Sequence, residues 1–266
     1  MKKPLALVLS AIITLCTPAF AMQEADRTKM SKDHQRVYDA ALALYGIVGN
    51  EARFECTATV IAQRQGQPGG KIDEYLLLTA GHCVTGDGTP NGIKFGVREN
   101  IVENGPVTPD LQLVDVVRAE NDAKYDFAIL FLATDKVYPV IDIDINYVPV
   151  PEDKVYDVNF SLGITKQIAL GVIASGIIDT QTSHGDCDIC KGRYMVHIFA
   201  AGGASGSAII NEKTNKIIGV GEFGFPGTTT GLGCETMKAF KEWATSPVAS
   251  NLSPKAQSLQ ASRVAQ

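Results

Sequence analysis

The sequence predicts an all-β protein in which two antiparallel β-barrels pack side by side and a short helix follows the second barrel. Short apolar and β-branched runs recur from residue 42 onward, and Gly, Pro, Asn and Asp separate them. The runs form two series on either side of a Pro-containing stretch, and helical periodicity is clear only where the second series ends. This spacing is typical of barrels and sandwiches rather than of strands that alternate with helices.

The first 21 residues have the pattern of an export signal. Lys2 and Lys3 precede an apolar run that ends at Cys16, and residues 19–21 (Ala-Phe-Ala) have the small-x-small pattern of a signal-peptidase site. The apolar run is too short for a transmembrane helix, which needs about 20 residues. We therefore expect cleavage after Ala21 and a secreted or periplasmic protein, with no membrane association after cleavage.

The charge balance argues against nucleic-acid partners. The chain has 24 Lys and Arg against 29 Asp and Glu, and loss of Lys2 and Lys3 with the signal changes its formal net charge from -5 to -7. Nucleic acids and anionic membranes attract clustered Lys and Arg, so neither is an expected partner. The sequence leaves the oligomeric state open, and we expect a monomer.

The mature chain divides into five parts by composition. They are an N-terminal arm (22–41), the first β-barrel (42–135), a linker (136–151), the second β-barrel with its helix (152–245) and a disordered tail (246–266). The arm is polar and is expected to be a short helix or an irregular segment, whereas the tail is rich in Ser, Gln and Ala. A helix is predicted over 235–245 because Met237, Phe240 and Ala244 share one face. Strands are predicted at 43–48, 54–62, 75–79, 93–97, 111–117, 127–132, 154–161, 167–178, 194–200, 207–211 and 216–225.

A serine between glycines is the first candidate for chemistry. In residues 203–207 (Gly-Ala-Ser-Gly-Ser) the glycines let the backbone turn sharply and leave the N–H groups of Gly203 and Ser205 free to bind an oxyanion. Acyl transfer by a serine also needs an imidazole that takes the proton and a carboxylate that orients the imidazole. The same string is common in flexible turns, so this motif alone does not establish a function.

Two further segments supply an imidazole and a carboxylate. His82 follows the apolar run 75–79, beside a loop, and the sequence has only four histidines. Asp126 heads the apolar run 127–132, where a carboxylate is costly to bury unless hydrogen bonds stabilise it. The alternatives are a structural histidine and a strand-capping aspartate that faces water.

Together the three segments resemble the trypsin- and chymotrypsin-like serine protease family. Residues 79–83 (Thr-Ala-Gly-His-Cys) resemble the family's Thr-Ala-Ala-His-Cys, residues 126–130 (Asp-Phe-Ala-Ile-Leu) resemble Asp-Ile-Ala-Leu-Leu, and residues 203–207 resemble Gly-Asp-Ser-Gly-Gly. The order His, Asp, Ser matches this family and differs from the orders in subtilisins and α/β-hydrolases. The resemblance extends over roughly residues 42–243, and Ser207-Ala208 in place of Gly-Pro resembles bacterial secreted members.

The resemblance implies a chymotrypsin-like fold of two six-stranded antiparallel β-barrels and a serine endopeptidase that hydrolyses protein or peptide substrates through an acyl-enzyme. Ser205 is then the nucleophile, His82 the general base and acid, and Asp126 the group that fixes the imidazole tautomer. The backbone N–H groups of Gly203 and Ser205 form the oxyanion hole. No metal or organic cofactor is implied. The alternatives are a non-catalytic protease-fold protein that binds peptides and an esterase that uses the same residues, because fold alone does not fix function.

The same resemblance implies where a substrate binds. Residues 218–224 resemble the strand Val-Gly-Ile-Val-Ser-Trp-Gly, which pairs with the substrate backbone in this family. This assigns Glu222, Phe223 and Gly224 to substrate binding by strand addition. Phe199 stands where the base of the primary specificity pocket is expected, and an aromatic residue there argues against an Asp-lined pocket for Arg or Lys. Whether Glu222 reaches a basic side chain or points away stays open.

Ala204 departs from the family pattern. Animal digestive enzymes carry Asp at this place, and that Asp pairs with a newly cut N-terminal amine, so this chain lacks that activation switch. We expect an oxyanion hole that forms without a buried N-terminus, as in several bacterial and viral relatives. A propeptide of another kind, within about residues 22–35, stays open.

Five cysteines remain after signal cleavage, so at least one has no intramolecular partner. The resemblance implies a bridge between Cys56 and Cys83. The other three are Cys187, Cys190 and Cys234, and their pairing is open. We favour a bridge from Cys187 or Cys190 to Cys234. The other arrangements are a bridge between Cys187 and Cys190, and a zinc site formed by these three cysteines and His184.

Overall fold

The computed structural model describes residues 23–24, 26–64, 72–85, 93–122, 124–178, 190–224 and 229–247. The predicted export signal lies outside the described residues, as do Cys187 and all but the first two residues of the predicted disordered tail. Among the helices of the described segments, none is both long and apolar enough to cross a membrane.

The described segments are mostly strand. In chain order the strands are β1 (Gln23–Glu24), β2 (Ala41–Val48), β3 (Glu51–Arg64), β4 (Asp73–Thr79), β5 (Lys94–Arg98), β6 (Gly105–Pro106), β7 (Gln112–Asn121), β8 (Asp126–Thr134), β9 (Lys154–Asn159), β10 (Gln167–Ile173), β11 (Tyr194–His197), β12 (Ala208–Asn211), β13 (Ile217–Gly224) and β14 (Leu232–Thr236). The α-helices are α1 (Lys32–Ala40), α2 (His82–Thr85) and α3 (Met237–Thr245).

Each of two sheets contains a closed ring of six antiparallel strands, which confirms the predicted fold class. The first ring follows the order β2-β5-β7-β8-β4-β3 and closes where β2 pairs with β3. The second follows β10-β11-β14-β13-β12-β9 and closes where β9 pairs with β10. The two-residue strands β6 and β1 pair with β3 and β10 outside the rings.

One apolar cluster runs through both barrels. It joins Leu42 and Leu77 of the first barrel to Val158 and Ile210 of the second, and all four side chains are almost fully buried. Burial of apolar area is the main favourable term in folding, so this shared core holds the barrels side by side. The two barrels therefore share an interface. The predicted site residues lie in loops and at strand ends of both barrels.

Helix α3 follows the second barrel but packs on the first. The hydroxyl of Thr236 accepts a backbone N–H from the first turn, which caps the helix. The rings of Phe240 and Trp243 lie 5.4 and 5.5 Å from that of Phe127. Because Phe127 follows Asp126, the helix supports the strand end that carries this carboxylate.

The N-terminal arm is helical where it meets the barrels. Ser31 caps α1 by accepting the His34 N–H, and Val37 and Ala40 are buried in the shared core. The buried Lys166 of the second barrel donates to the Tyr38 carbonyl at 3.0 Å. Of the two alternatives for this arm, the structure has the helix.

Strand β14 was not predicted, and it displaces the start of the C-terminal helix. The sequence predicts a helix over 235–245, but Glu235 and Thr236 end this strand and the helix begins at Met237. Gly233 and Glu235 are poor strand formers. Tertiary contacts override this weakness: the Phe223 ring occupies the place of a Cβ on Gly233, and Glu235 has a buried ionic partner.

Cys56 and Cys83 form the disulfide that the family resemblance implies. The favoured bridge to Cys234 is wrong, because Cys234 is a free thiol. It is fully buried in the core of the second barrel, and its Sγ lies 3.6 Å from the Leu232 carbonyl. Cys190 is in a disulfide whose second sulfur lies outside the described residues. The bridge between Cys187 and Cys190 therefore stays a prediction. A bonded Cys190 sulfur is not a thiolate, so it does not suit a zinc site.

Candidate active site

His82 and Asp126 meet at one end of the first barrel. One oxygen of Asp126 accepts the backbone N–H of His82 at 2.6 Å, and the other lies 2.6 Å from His82 Nδ1. Gly81 makes this approach possible, since a Cβ there would lie 1.9 Å from the Glu120 carbonyl oxygen. The carboxylate thus orients both the backbone and the ring of His82, and it leaves Nε2 as the nitrogen for proton transfer.

A buried ionic cluster stands behind Asp126. Its backbone N–H donates to Glu235 at 3.0 Å, and the same Glu235 oxygen accepts from Arg193 at 2.7 Å. Arg193 also makes two hydrogen bonds to Glu222, at 2.7 and 3.0 Å. Burial raises the pKa of Glu235 and of Glu222, against the opposing effect of the Arg193 guanidinium that the two carboxylates share. The cluster connects the strand end that carries Asp126 to β13 and β14 of the other barrel.

These charges affect the basicity of His82. Burial opposes protonation of the ring, but the hydrogen bond and the charge of Asp126, together with the charge of Glu222, outweigh it and raise the pKa of His82 above its ordinary value. The side chain is one-third exposed (33%), so solvent reaches the imidazole. An imidazole in this setting is a stronger proton acceptor than a free one.

Thr57 docks the serine loop, residues 201–207, on the first barrel. Its backbone N–H donates to the Ser205 carbonyl at 2.9 Å and its hydroxyl donates to the Gly203 carbonyl at 2.8 Å. Thr57 follows Cys56, whose disulfide partner lies next to His82. The loop from the second barrel therefore sits on the strand that is bonded to the histidine segment.

The Ser205 hydroxyl faces β13. Its Oγ donates to the Glu222 carbonyl at 3.3 Å, and within the described residues no hydrogen bond joins it to His82. The structure thus pairs Asp126 with His82 directly and places Ser205 on the adjoining loop. The disulfide sulfurs lie within 4.8 Å of a His82 ring nitrogen, but bonded sulfurs are not thiolates, so this group does not suit a metal ion.

Two backbone N–H groups of the serine loop are available to a ligand. The Gly202 carbonyl accepts from Leu162 at 2.7 Å, and because the two ends of a trans peptide point in opposite directions, the Gly203 N–H points the other way. Gly203 has a φ of +98°, which favours glycine. In the described part of the chain, neither the Gly203 nor the Ser205 N–H has a hydrogen-bond acceptor. Both groups are free to bind an oxyanion.

The residues assigned to substrate binding lie on two segments of the second barrel. Glu222, Phe223 and Gly224 end β13, beside the serine. The Glu222 carboxylate is turned onto Arg193, so its carbonyl rather than its side chain faces the site. Phe199 is partly buried against the core of the second barrel, between β11 and the serine loop. A basic side chain therefore does not find a free carboxylate at Glu222.

Sequence reasoning missed a cavity that borders the serine loop at Gly202 and Gly203. It has a volume of about 480 Å³, and its lining includes Phe54, Glu55, Asn104, Leu162 and Gly203. Its residues come from four separate segments, so no local pattern indicates it. The cavity borders Gly203, and the residues that line it include none from β13.

A family model for the trypsin-like peptidase domain matches residues 56–220, which is more than half of the chain. The matched range includes His82, Asp126 and Ser205. No curated protein matches the chain in sequence.

Solved structures of proteases have a similar fold. The HtrA-type protease AlgW with a decapeptide has 14% identity and a TM-score of 0.56, covering 79% of this chain and 64% of that chain. The serine endoprotease from Yersinia pestis has 16% identity and a TM-score of 0.53, with 79% and 63% coverage. Rv3671c from M. tuberculosis H37Rv, as an inactive mutant form, has 14% identity and a TM-score of 0.54, with 86% and 100% coverage. The chain spans less than two thirds of the length of the first two, and at these identities the likeness concerns the fold alone.

Proposed function

Because the chain belongs to the trypsin-like peptidase domain family, a family of serine proteases, we propose that it is a serine endopeptidase with Ser205, His82 and Asp126 as its catalytic triad. The observation that supports this most directly is the pair of 2.6 Å contacts by which Asp126 holds the backbone and the ring of His82. A proton acceptor oriented in this way beside a serine loop suits acyl transfer.

In the proposed reaction, the Ser205 hydroxyl first turns from the Glu222 carbonyl to His82 Nε2, by rotation about its Cα–Cβ bond. His82 takes the proton while Oγ bonds to the carbonyl carbon of the substrate, and the π electrons of that carbonyl move to its oxygen. Asp126 stabilises the imidazolium. His82 then protonates the leaving amine as the C–N bond breaks, and a water molecule hydrolyses the acyl-enzyme by the same steps.

The negative oxygen of the intermediate would be stabilised by Gly203 and Ser205. Their N–H groups have no acceptor in the described part of the chain, which supports this role. Each such donor contributes about 10²- to 10³-fold in kcat in proteases whose donors have been removed. Ala204 would leave this site independent of an N-terminal amine.

We propose a peptide substrate that adds as an extended strand along β13. When the Ser205 hydroxyl turns away, the Glu222 carbonyl becomes free to accept a substrate N–H. Structures of AlgW with a tripeptide and with a decapeptide indicate this ligand class in a protein of similar fold. The leaving-group side of the substrate would face the cavity that Phe54 and Leu162 line.

We also propose that the protein acts outside the cytoplasm. The signal pattern of residues 1–21 supports export, and the Cys56–Cys83 disulfide suits an oxidising compartment.

The test is digestion of a mixed peptide library by the wild type, with products read by mass spectrometry. We expect internal cleavage with a consistent residue pattern, and no products from Ser205→Ala. Tight peptide binding without turnover by a folded wild type would instead support the non-catalytic alternative. Cleavage of ester substrates but of no peptide would support an esterase.

A further inference from the structure

Asp157, in the middle of β9, is a carboxylate that the proposed mechanism does not use. It is fully buried, at 0% exposure, and within the described residues no Lys, Arg or His forms an ion pair with it. Burial raises the pKa of Asp157 to about 7, against the opposing effect of its hydrogen bonds. Burying a carboxylate without a neighbouring cation costs free energy. The hydrogen bonds of Asp157 offset part of this cost, and they connect Asp157 to the serine loop.

One arm of its contacts reaches the end of the serine loop. The fully buried Ser207 donates its hydroxyl to Asp157 at 2.9 Å. The backbone of Ser207 in turn donates to the Ala204 carbonyl at 3.0 Å and accepts the Gly221 N–H at 2.9 Å. Asp157 thereby fixes the residue two positions after the nucleophile.

The other arm reaches the start of the same loop through two polar side chains. The Asn159 amide donates to both oxygens of Asp157, at 2.9 and 3.0 Å. Its own carbonyl oxygen accepts the Ser161 N–H at 2.9 Å, and the Ser161 hydroxyl accepts the Ala201 N–H at 3.2 Å. Asn159 and Ser161 are both fully buried.

This second set of contacts also fixes the orientation of the peptide bond between Gly202 and Gly203, whose N–H is one of the two proposed oxyanion donors. Leu162, next to Ser161, donates to the Gly202 carbonyl at 2.7 Å, and this bond directs the Gly203 N–H away from Leu162. A single buried carboxylate thus anchors both ends of residues 201–207, and the two free N–H groups lie between the anchors.

We propose that Asp157 is a positioning residue that holds the serine loop in its oxyanion-binding conformation, in place of the aspartate–amine pair that Ala204 excludes. The inference rests on the proposed peptidase function. Asp157 touches neither Ser205 nor His82; it acts through Ser207 on one side and Asn159 on the other.

The orientation of Asn159 makes the proposal specific to a carboxylate. Because the Asn159 carbonyl oxygen is taken by Ser161, its amide nitrogen must face position 157. In Asp157→Asn, the new amide N–H group faces the Asn159 nitrogen whichever oxygen it replaces, because that nitrogen contacts both oxygens of Asp157, so the network loses at least one hydrogen bond. Exchanging the two residues, D157N with N159D, again places an amide opposite a carboxylate and leaves an acceptor for Ser207 and for Ser161.

The experiment measures kcat, KM and the rate of fluorophosphonate labelling for these variants in the full mature chain. We expect Asp157→Asn to lower kcat and the labelling rate by about 10- to 100-fold, part of the effect of losing an oxyanion donor, with a much smaller change in KM. The exchanged double variant should regain most of the lost kcat. The control is Tyr156→Phe, which removes a buried hydroxyl from the same strand, bonded to Asn215 away from the loop, and should leave kcat unchanged.

Each result decides the matter. An active wild type with an equally active Asp157→Asn, or a double variant no better than the single one, overturns the inference alone. If Asp157→Asn does not fold, Ser207→Ala removes only the loop contact, and a Ser207→Ala protein with the wild-type kcat overturns the inference as well. A wild type that neither cleaves nor labels contradicts the proposed function first, and the positioning role with it.

Discussion

Gly206 leaves no space for a side chain where the serine loop crosses onto the first barrel. A Cβ there would lie 2.1 Å from the Thr79 hydroxyl and 2.3 Å from the Thr57 carbonyl, and the residue has a φ of +81°. Gly206→Ala should therefore lift the loop from its docking strand and lower kcat/KM by about 10²-fold or more, as misplacement by about 1 Å does. Steady-state kinetics on the best library peptide measures this.

The control for that variant is Gly105→Ala, because a Cβ on Gly105 has no neighbour within 4 Å. It should keep the wild-type kcat/KM. Full activity of Gly206→Ala would show that the loop reaches the histidine in another way.

The pH dependence of activity reports on His82. The base must be neutral, so kcat/KM should rise with pH, and the raised pKa of His82 places the midpoint above that of an ordinary histidine. Removing the negative charge in Glu222→Gln should move the midpoint to lower pH. Exposed Glu212, mutated in the same way, should leave it unchanged.

A midpoint that moves to higher pH in Glu222→Gln, or that moves to lower pH by the same amount in Glu212→Gln, would contradict this electrostatic explanation. The profile is measured as kcat/KM from about pH 5 to 9, a range that spans the ordinary histidine value.

At the residue scale, the sequence predicted the three residues proposed for the chemistry but not the residues that hold them in place. His82, Asp126 and Ser205 lie in short motifs that resemble family segments. Glu235, by contrast, accepts the Asp126 N–H across 109 positions of sequence. Arg193 contacts the carboxylates of Glu222 and Glu235 only after the sheet forms. Such partners follow from strand register, which the local sequence does not specify.

At the scale of elements, the disulfide fixes helix α2 to strand β3. Cys56 and Cys83 are 27 positions apart, and closing a loop of that length stabilises the folded state by about 3 to 4 kcal/mol in the chain-entropy model. The double variant Cys56→Ala with Cys83→Ala should lose about that much unfolding free energy in urea, and some kcat, since His82 begins the same helix.

The matched control is the wild type in a reducing agent, whose unfolding free energy in urea should fall to about that of the double variant. An oxidised wild type that unfolds at the same urea concentration as the variant would contradict a stabilising role for this bridge.

Strand prediction succeeded where apolar runs are continuous and failed where tertiary contacts replace them. The strands of the first barrel fall on predicted runs, with ends shifted by a few residues. β14 was missed because Gly233 and Glu235 interrupt its apolar pattern. Those two residues fit the strand only through the Phe223 ring and the Arg193 guanidinium.

At the scale of the whole molecule, two separately closed barrels assemble one site. The first contributes the Asp126–His82 pair, the second contributes the serine loop, and Thr57 joins them by two hydrogen bonds. The two series of runs predicted two barrels, but no sequence pattern predicted the shared core or the cavity beside Gly203, because both arise from contacts between distant segments.

The proposed function requires Ser205 to be a nucleophile that His82 activates. The most direct measurement is the intact mass and peptide map of the protein after treatment with an alkyl fluorophosphonate. We expect one adduct, located on Ser205, that is absent from Ser205→Ala and forms far more slowly in His82→Ala. An unlabelled but folded wild type, or equal labelling of all three proteins, would contradict it.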